Sequence, residues 1–199
     1  MTASPTLICI PDISGFTQFM RDVDFKMSSQ VIPSLLNNII YSNEIGLKVS
    51  EIEGDAVLFY RTGKLPAFDK LVDQCKHFYI EFYKQMAVLI EKHELNKESE
   101  KIPEILGLKI ILHFGNEIGM VPIGANIKLM GEDVITAHRL LKNEVEIDEY
   151  ILISDNLLSE YKKENIEENF DWSTLKKKTM DVEHLGKLQY HYIDLSPLK

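Results

Sequence analysis

Short apolar runs alternate with long amphipathic stretches along this chain, and their different periods predict different elements. The run Leu7-Ile8-Cys9-Ile10 is too short for an ordinary helix and favours a buried strand. Residues 28–46 and 65–95 instead repeat apolar side chains at i, i+3 and i+4, which is typical of helices with one buried face. The longer stretch keeps that face for about eight turns. Its many aromatic residues favour packing against a sheet, and a coiled-coil dimer seam is the alternative.

Turn residues divide the rest of the chain into shorter elements. Residues 14–22, 131–142 and 155–163 predict further helices, and Glu53-Gly54 and Gly186 predict hairpin turns. The predicted strands are residues 7–10, 47–52, 55–61, 108–114, 118–123, 150–154, 179–185 and 188–195, with surface loops at 96–101 and 164–169. The order β-α-α-β-β-α-β-β-α-β-α-β-β predicts one α+β domain over residues 1–199. We expect a ferredoxin-like (split βαβ) antiparallel sheet with covering helices on one side.

Composition narrows the range of partners. Acidic residues outnumber basic ones by 31 to 22, and the net charge of −9 argues against a nucleic-acid or anionic-membrane surface, which needs a basic face. A nucleotide substrate is still compatible, because a single pocket can be basic on an acidic protein. No signal peptide and no apolar stretch of membrane-spanning length are visible. Cys9 and Cys75 fit core positions as reduced thiols, so we expect a cytoplasmic protein.

The first candidate site follows the opening strand. Asp12 stands at the strand end, and Gly15-Phe16-Thr17 follows where a helix can begin. A carboxylate there can bind a divalent metal, while the backbone N–H groups of the glycine turn can accept phosphate. The alternative is a plain helix start in which Asp12 or Ser14 serves as the cap. Taken alone, the stretch favours the cap.

A second carboxylate changes that balance. Asp55 comes directly after the Glu53-Gly54 turn, and in a split-βαβ sheet this hairpin lies next to the end of the first strand. Asp12 and Asp55 together can hold one or two magnesium ions, which prefer oxygen ligands and leave positions for a triphosphate. The alternative for Asp55 is a turn residue. The pair favours the metal site.

Four segments resemble the class III nucleotidyl cyclase catalytic domain, the family of adenylyl and guanylyl cyclases. They match its strand-end Asp with Gly-Phe-Thr, its Gly-Asp hairpin, its Gly-Ile-His-x-Gly strand end and its Gly-Asp-x-Val-Asn-x-Ala-x-Arg helix. The segments are Asp12-Ile13-Ser14-Gly15-Phe16-Thr17, Glu51-Ile52-Glu53-Gly54-Asp55-Ala56, Ile111-Leu112-His113-Phe114-Gly115 and Gly131-Glu132-Asp133-Val134-Ile135-Thr136-Ala137-His138-Arg139-Leu140. Each is weak alone, but their order and separations match the family over most of the chain.

The resemblance implies a head-to-tail homodimer that converts a nucleoside triphosphate to a cyclic nucleotide and pyrophosphate. Asp12, Asp55 and the Ile13 carbonyl would hold Mg²⁺ or Mn²⁺. The amides of Gly15-Phe16-Thr17 would receive the phosphates. Arg139 of the other protomer would stabilise charge on the triphosphate in the transition state. The alternative for Arg139 is a solvated or salt-bridged helix residue.

Several positions depart from the family pattern. Ile135 stands where the family has an Asn that orients the ribose, and an aliphatic side chain cannot make those hydrogen bonds. At the base-reading positions the chain has Glu51, which resembles the guanine-reading Glu of guanylyl cyclases, and Lys128, which does not match. An ion pair between them across the dimer would fill the base pocket. Lys187 is only a loose candidate for the family's late triphosphate-binding lysine.

Three functional hypotheses follow. The first is an active nucleotidyl cyclase, supported by Asp12, Asp55 and Arg139. The second is a catalytically inactive cyclase-fold module that binds nucleotide or a protein partner, supported by Ile135 and the Glu51/Lys128 pair. The third is a metal-dependent phosphohydrolase that uses the same carboxylates with water as nucleophile. Because both metal carboxylates are present, we favour a metal–nucleotide function, and cyclisation within it.

Overall fold

The core of the molecule is a mixed sheet, which the computed structural model describes within residues 3–93, 101–124, 126–162 and 166–199. The strands are β1 (Ser4–Ser14), β2 (Lys48–Glu53), β3 (Ala56–Thr62), β4 (Gly107–Ile123), β5 (Asn126–Met130), β6 (Tyr150–Ser154), β7 (Lys176–Val182) and β8 (Gly186–Asp194). The helices are α1 (Phe16–Asp22), α2 (Phe25–Tyr41), α3 (Phe68–Lys92), α4 (Lys101–Ile105), α5 (Glu132–Leu140) and α6 (Asp155–Ser159), with 3₁₀ turns at Glu167–Asn169 and Ser196–Leu198.

The strand order confirms the predicted α+β fold. The sheet runs β2-β3-β1-β4-β6-β8-β7, and β5 pairs with β4 off this path. These pairings are antiparallel except for β4 with β6, which is parallel. Strand β1 therefore lies between β3 and β4, and the end of β1 faces residues of both neighbours.

Alternating side chains of the sheet enter two separate cores. Leu7 and Cys9 pack on one face with α2 and α3, whereas Ile8 and Ile10 pack on the other face with Val134, Ala137 and Leu140 of α5. This alternation is the period-two pattern of a strand buried on both sides. The prediction that helices cover only one side is therefore wrong for α5, which covers part of the opposite face.

The predicted apolar face of α3 is buried in the chain's own core. Phe78, Tyr79 and Phe82 are fully buried, and the Phe78 ring stacks on Phe59 of β3 with centroids 5.6 Å apart. Each buried aromatic side chain contributes roughly 1.5–3 kcal/mol of hydrophobic stabilisation. Packing against the sheet is confirmed, and the face is not available for a coiled-coil seam.

Several element boundaries differ from the predictions. The strands predicted at 108–114 and 118–123 form one continuous strand, β4, and the short strand β5 was missed. Helix α2 begins earlier than predicted, because the Asp24 carboxylate accepts a capping hydrogen bond of 2.8 Å from the Met27 N–H. Helix α6 ends at Ser159, and the predicted loops lie partly outside the described residues, at 96–100 and 164–165.

The remaining composition-based expectations concern cysteines and membranes. Cys9 and Cys75 are free and buried, as predicted, and burial raises the pKa of both thiols. Among the helices of the described ranges, none has the length and apolar character needed to cross a membrane.

Candidate functional site

The end of β1 is held in register with both neighbouring strands. Asp12 lies opposite Ala56 of β3 on one side and opposite Lys109 of β4 on the other. The Ile13 N–H donates a 3.0 Å hydrogen bond to the Asp55 carbonyl, which fixes the hairpin turn beside the strand end. The two predicted metal carboxylates, Asp12 and Asp55, consequently line one cavity.

This cavity has a volume of about 620 Å³ and a balanced set of charges. Its described lining residues are Asp12, Glu53, Asp55, Ala56, Lys109, Ile135, His138, Arg139, Leu141 and Lys142. Three carboxylates thus face three permanently cationic side chains, on a protein whose overall charge is −9. A cavity of this volume is in the range of small-molecule sites.

The carboxylates are only partly compensated by cations of the chain. The Lys109 ammonium lies 3.3 Å from Asp12 Oδ1, and it favours the charged form of Asp12. Burial nevertheless raises the pKa of Asp12, and the nearby Asp55 raises it further. Burial also raises the pKa of Asp55, against the attraction of Lys109. Asp12 and Asp55 are two incompletely neutralised carboxylates, and both offer only oxygen atoms as ligands. Such a pair fits a hard divalent cation.

Helix α5 is positioned over this cavity by a buried histidine. His113 of β4 is fully buried, and its Nε2 lies 3.2 Å from the Asp133 carboxylate while its Nδ1 lies 2.9 Å from Ser154 Oγ. Since the carboxylate only accepts, the Nε2–H of His113 donates to Asp133. Hydrogen bonding to His113 lowers the pKa of Asp133. A Cβ on Gly115 would lie 2.3 Å from Asp133 Cβ, so the glycine leaves room for this contact.

The predicted residues of α5 therefore reach the cavity. Arg139 and Ile135 line it together with Asp12 and Asp55, and Ile135 is 53% exposed. The guanidinium of Arg139 makes no ion pair with any other described residue. From the sequence we expected Arg139 of a partner protomer to reach the Asp12 site. In the structure, Arg139 of the same chain already lines the Asp12 cavity.

The base-reading positions meet within one chain as well. Lys128 Nζ of β5 lies 3.3 Å from Glu51 Oε2 of β2, and Ser50 Oγ of β2 donates to the Ile127 carbonyl at 3.4 Å. The ion pair that was expected across a dimer is therefore intramolecular. The β4–β5 hairpin folds back onto the sheet edge and brings the two charges together.

The other predicted phosphate-binding positions lie elsewhere. Gly15 has a φ of 77°, and a Cβ there would lie 2.0 Å from the Ile105 carbonyl oxygen, so only glycine fits this turn before α1. Among the described residues lining the Asp12 cavity, Gly15, Phe16 and Thr17 do not occur. Lys187 lines a different cavity, beside His113.

The predicted site residues did not include four charged or titratable residues of the cavity: Lys109, Glu53, His138 and Lys142. One of them carried a usable signal. Lys109 is the single charged residue in the apolar run 108–114, and a lysine inside a strand buried on both faces needs a partner. Its register position opposite Asp12 follows from the pairing of β1 with β4.

Solved structures with the same fold include adenylyl and guanylyl cyclases. The catalytic core of a rhodopsin-guanylyl cyclase with converted specificity, in complex with ATPαS, has a TM-score of 0.65 at 19% identity, covering 98% of this chain and 97% of that one. The guanylate cyclase domain of RhGC from Catenaria anguillulae, in complex with GTP, has a TM-score of 0.64 at 19% identity and 97% coverage of both chains. The adenylyl cyclase CyaB from P. aeruginosa has a TM-score of 0.59 at 15% identity, covering 95% and 93%. These likenesses confirm the cyclase-like fold.

Sequence comparisons add a family. The Uncharacterized protein Rv2561/Rv2562 of Mycobacterium tuberculosis is 28% identical over 162 residues, which cover 81% of this chain and 72% of that protein. The family model described as "Protein of unknown function (DUF2652)" matches residues 32–150, from α2 through the hairpin with Asp55 and helix α5 to the start of β6. Because this match spans more than half of the chain, the protein belongs to the DUF2652 family.

Proposed function

We propose that this protein is a divergent nucleotidyl cyclase-like enzyme that converts a nucleoside triphosphate to a cyclic nucleotide and pyrophosphate. One observation carries the proposal. Asp12 and Asp55 share a cavity of about 620 Å³ with the cations Lys109 and Arg139, in a chain with the fold of cyclase catalytic domains. The solved relatives with ATPαS and GTP support a nucleotide as the ligand.

Two carboxylates and one carbonyl of this chain would hold the metal. Asp12 and Asp55 line the cavity, burial raises the pKa of both carboxyl groups, and the Ile13 carbonyl belongs to the same strand end. Mg²⁺ or Mn²⁺ held by these residues would activate the ribose 3′-hydroxyl and neutralise charge on the α-phosphate.

The cations of the cavity bind the triphosphate. Arg139 is exposed and makes no ion pair with another described residue, so its guanidinium can donate hydrogen bonds to two phosphate oxygens. Lys109, which now pairs with Asp12, is the cation nearest the carboxylates and contributes a second phosphate contact. The ribose 3′-oxygen forms a bond to the α-phosphorus while the bond between the α-phosphorus and the oxygen that bridges it to the β-phosphorus breaks. The hydroxyl proton leaves to solvent. Arg139 stabilises the negative charge that develops on pyrophosphate.

The contacts to ribose and base are the weaker half of the site. Ile135 offers no hydrogen bond to a ribose, and the Glu51 carboxylate is already paired with Lys128. We therefore expect slow turnover and weak base selectivity. The amides of Gly15-Phe16-Thr17 stay candidates for phosphate contacts in the nucleotide-bound protein.

The proposed assembly is a head-to-tail homodimer. Exposed apolar residues on the β4–β5 hairpin and α5 support it, because a surface of this kind is typical of an interface. These residues are Ile123, Ile127, Met130 and Ile135.

A catalytically inactive module is the second candidate. The intramolecular Glu51–Lys128 pair and the aliphatic Ile135 favour it, because both remove hydrogen-bonding groups that a substrate ribose and base would need. Such a module would bind a metal–nucleotide complex, or a protein partner, without turnover.

The direct test incubates the full chain with Mg²⁺ or Mn²⁺ and each nucleoside triphosphate, with detection of products by mass spectrometry. We expect a cyclic nucleotide and pyrophosphate. Asp55→Asn should abolish product, whereas Asp181→Asn, at an exposed position on β7, should leave the rate unchanged.

Other outcomes separate the alternatives. Metal-dependent thermal stabilisation by a nucleotide without product would support the inactive module. Release of inorganic phosphate without a cyclic product would support the phosphohydrolase. Neither product nor any shift in melting temperature with any nucleotide would overturn the nucleotide proposal in both forms.

A further inference from the structure

A second cluster of ligating side chains lies at the mouth of the Asp12 cavity. Glu51 and Glu53 of β2 and His138 of α5 place one ligand atom each within 4.8 Å of the other two. Residues two apart on a strand point to the same face, so both glutamates face α5. Glu53 and His138 line the cavity, but neither Asp12 nor Asp55 belongs to the cluster.

The distances in this cluster approach those of a coordination shell. His138 Nδ1 lies 3.4 Å from Glu53 Oε2. Two ligand atoms that each lie about 2.1 Å from a tetrahedral ion are about 3.4 Å apart. The Glu51 carboxylate offers a third ligand atom within 4.8 Å of those of Glu53 and His138. The backbone is held on both sides, by the β2–β3 pairing and by the buried face of α5.

We propose that Glu51, Glu53 and His138 form a second metal site, which takes a divalent transition-metal ion such as Zn²⁺, Co²⁺ or Ni²⁺. The imidazole sets the selectivity, because a nitrogen ligand suits these ions, whereas Mg²⁺ prefers oxygen ligands alone. Three protein ligands leave a fourth tetrahedral position for water or for a ligand of the neighbouring cavity. The site shares no ligand with the Asp12–Asp55 pair and does not depend on cyclase activity.

Lys128 competes with the ion for one ligand. Its ammonium lies 3.3 Å from Glu51 Oε2, but its side chain is 52% exposed. An exposed pair of this kind contributes little to stability, so the ion displaces it at little cost. Removal of the Lys128 charge should therefore tighten metal binding, which is an effect that a purely structural role of the cluster does not produce.

The bound ion would connect α5 to the edge of the sheet. Glu51 and Glu53 belong to β2, while His138 lies in the helix that carries Ile135 and Arg139. A ligand that binds only the folded state raises the melting temperature in proportion to the logarithm of its concentration. The site would thereby fix the position of α5 over the cavity.

The test is a titration of the full, nucleotide-free chain with Co²⁺. Two quantities are measured: the visible absorption that tetrahedral nitrogen–oxygen coordination produces, and the melting temperature. The variants are His138→Gln, Glu53→Gln, Lys128→Met and Asp55→Asn. His184→Gln is the matched control, because His184 is exposed and also lies beside a glutamate, at 3.5 Å. Circular dichroism shows that each variant is folded.

We expect one tight Co²⁺ ion in the wild type. Loss of an outer-shell partner typically lowers metal affinity by about 10- to 100-fold, and loss of a direct ligand should cost at least as much. We therefore expect His138→Gln and Glu53→Gln to lower the Co²⁺ affinity by at least that factor. Lys128→Met should strengthen binding, and His184→Gln and Asp55→Asn should leave it unchanged. The proposal is overturned if Co²⁺ does not bind, if His138→Gln binds it like the wild type, or if Asp55→Asn abolishes binding.

Discussion

Two ion pairs of this protein have the same length and different surroundings. Lys109 lies 3.3 Å from Asp12 at the end of β1, and Lys128 lies 3.3 Å from Glu51 at the sheet edge. The side chains of the first pair are 22% and 13% exposed, and those of the second are 52% and 25% exposed. Distance alone would rank them as equal.

Burial makes the difference between them. A carboxylate that has lost its water depends on its partner, so removal of that partner leaves an uncompensated charge. Asp12 has this dependence, because burial raises its pKa even with Lys109 in place. The exposed pair is screened by solvent and salt, and each of its charges is hydrated without the other. The buried carboxylates of the cavity are therefore stabilised by a nearby cation to a degree that the exposed Glu51 at the sheet edge is not.

The strongest test of this comparison removes each lysine in turn. Lys109→Met should lower the free energy of unfolding by about 2 kcal/mol at pH 7, because Asp12 and Asp55 then lose their nearest cation. Lys128→Met should change it by less than about 1 kcal/mol. Urea denaturation without divalent metal measures both values. Equal losses in the two variants would contradict the assignment of a buried, dependent carboxylate at Asp12.

A smaller effect of opposite sign is expected from Asp55→Asn. Burial raises the pKa of Asp55 in the folded protein above its ordinary value of 3.8, so the folded state binds the proton more tightly than the unfolded state. Stability contributed by this group is therefore lost as pH rises from 3.8 through the folded pKa. Asparagine resembles the protonated form, so Asp55→Asn should be more stable than the wild type at pH 7, by up to about 1 kcal/mol after allowance for solvent.

The pH dependence identifies the cause of that gain. In chelator-treated protein the advantage of Asp55→Asn should shrink as pH falls, and should vanish below about 3.8, where Asp55 is protonated in both states. Asp181→Asn on β7 is the control and should stay within about 0.5 kcal/mol of the wild type at every pH. A gain that persists unchanged in acid would indicate altered turn conformation instead of relieved charge.

The pattern of apolar positions predicted the sheet and the long helix well, because burial imposes a regular period on each. The alternating run at the start of β1 and the stripe of α3 are examples, and both lie in the core as expected. The proximity of the two candidate carboxylates was also predictable. Asp12 and Asp55 flank turns whose geometry brings them to neighbouring strands, and they line one cavity.

Features that depend on tertiary contact were not predictable in the same way. Residues 108–114 and 118–123 were predicted as separate strands, but β4 continues through Gly115, whose missing side chain leaves room for Asp133 from another element. The Glu51–Lys128 pair was assigned to a dimer, because the sequence does not reveal that the β4–β5 hairpin folds back onto β2. Lys109 was overlooked although an isolated charge in an apolar strand implies a partner.

The smallest effect, and the finest test of the comparison, is the coupling energy of each pair. A double-mutant cycle with Glu51→Gln and Lys128→Met should give at most about 0.5 kcal/mol at low ionic strength and nothing measurable in 1 M salt, where the Debye length is about 3 Å. The corresponding cycle with Asp12→Asn and Lys109→Met should retain most of its coupling in 1 M salt, because the less exposed pair is screened less. Urea denaturation of the seven proteins, the wild type being shared by both cycles, at two salt concentrations gives both values. If 1 M salt lowers the two coupling energies to the same extent, the cavity is as well hydrated as the sheet edge. Asp12 would then gain no more from a bound cation than Glu51 does.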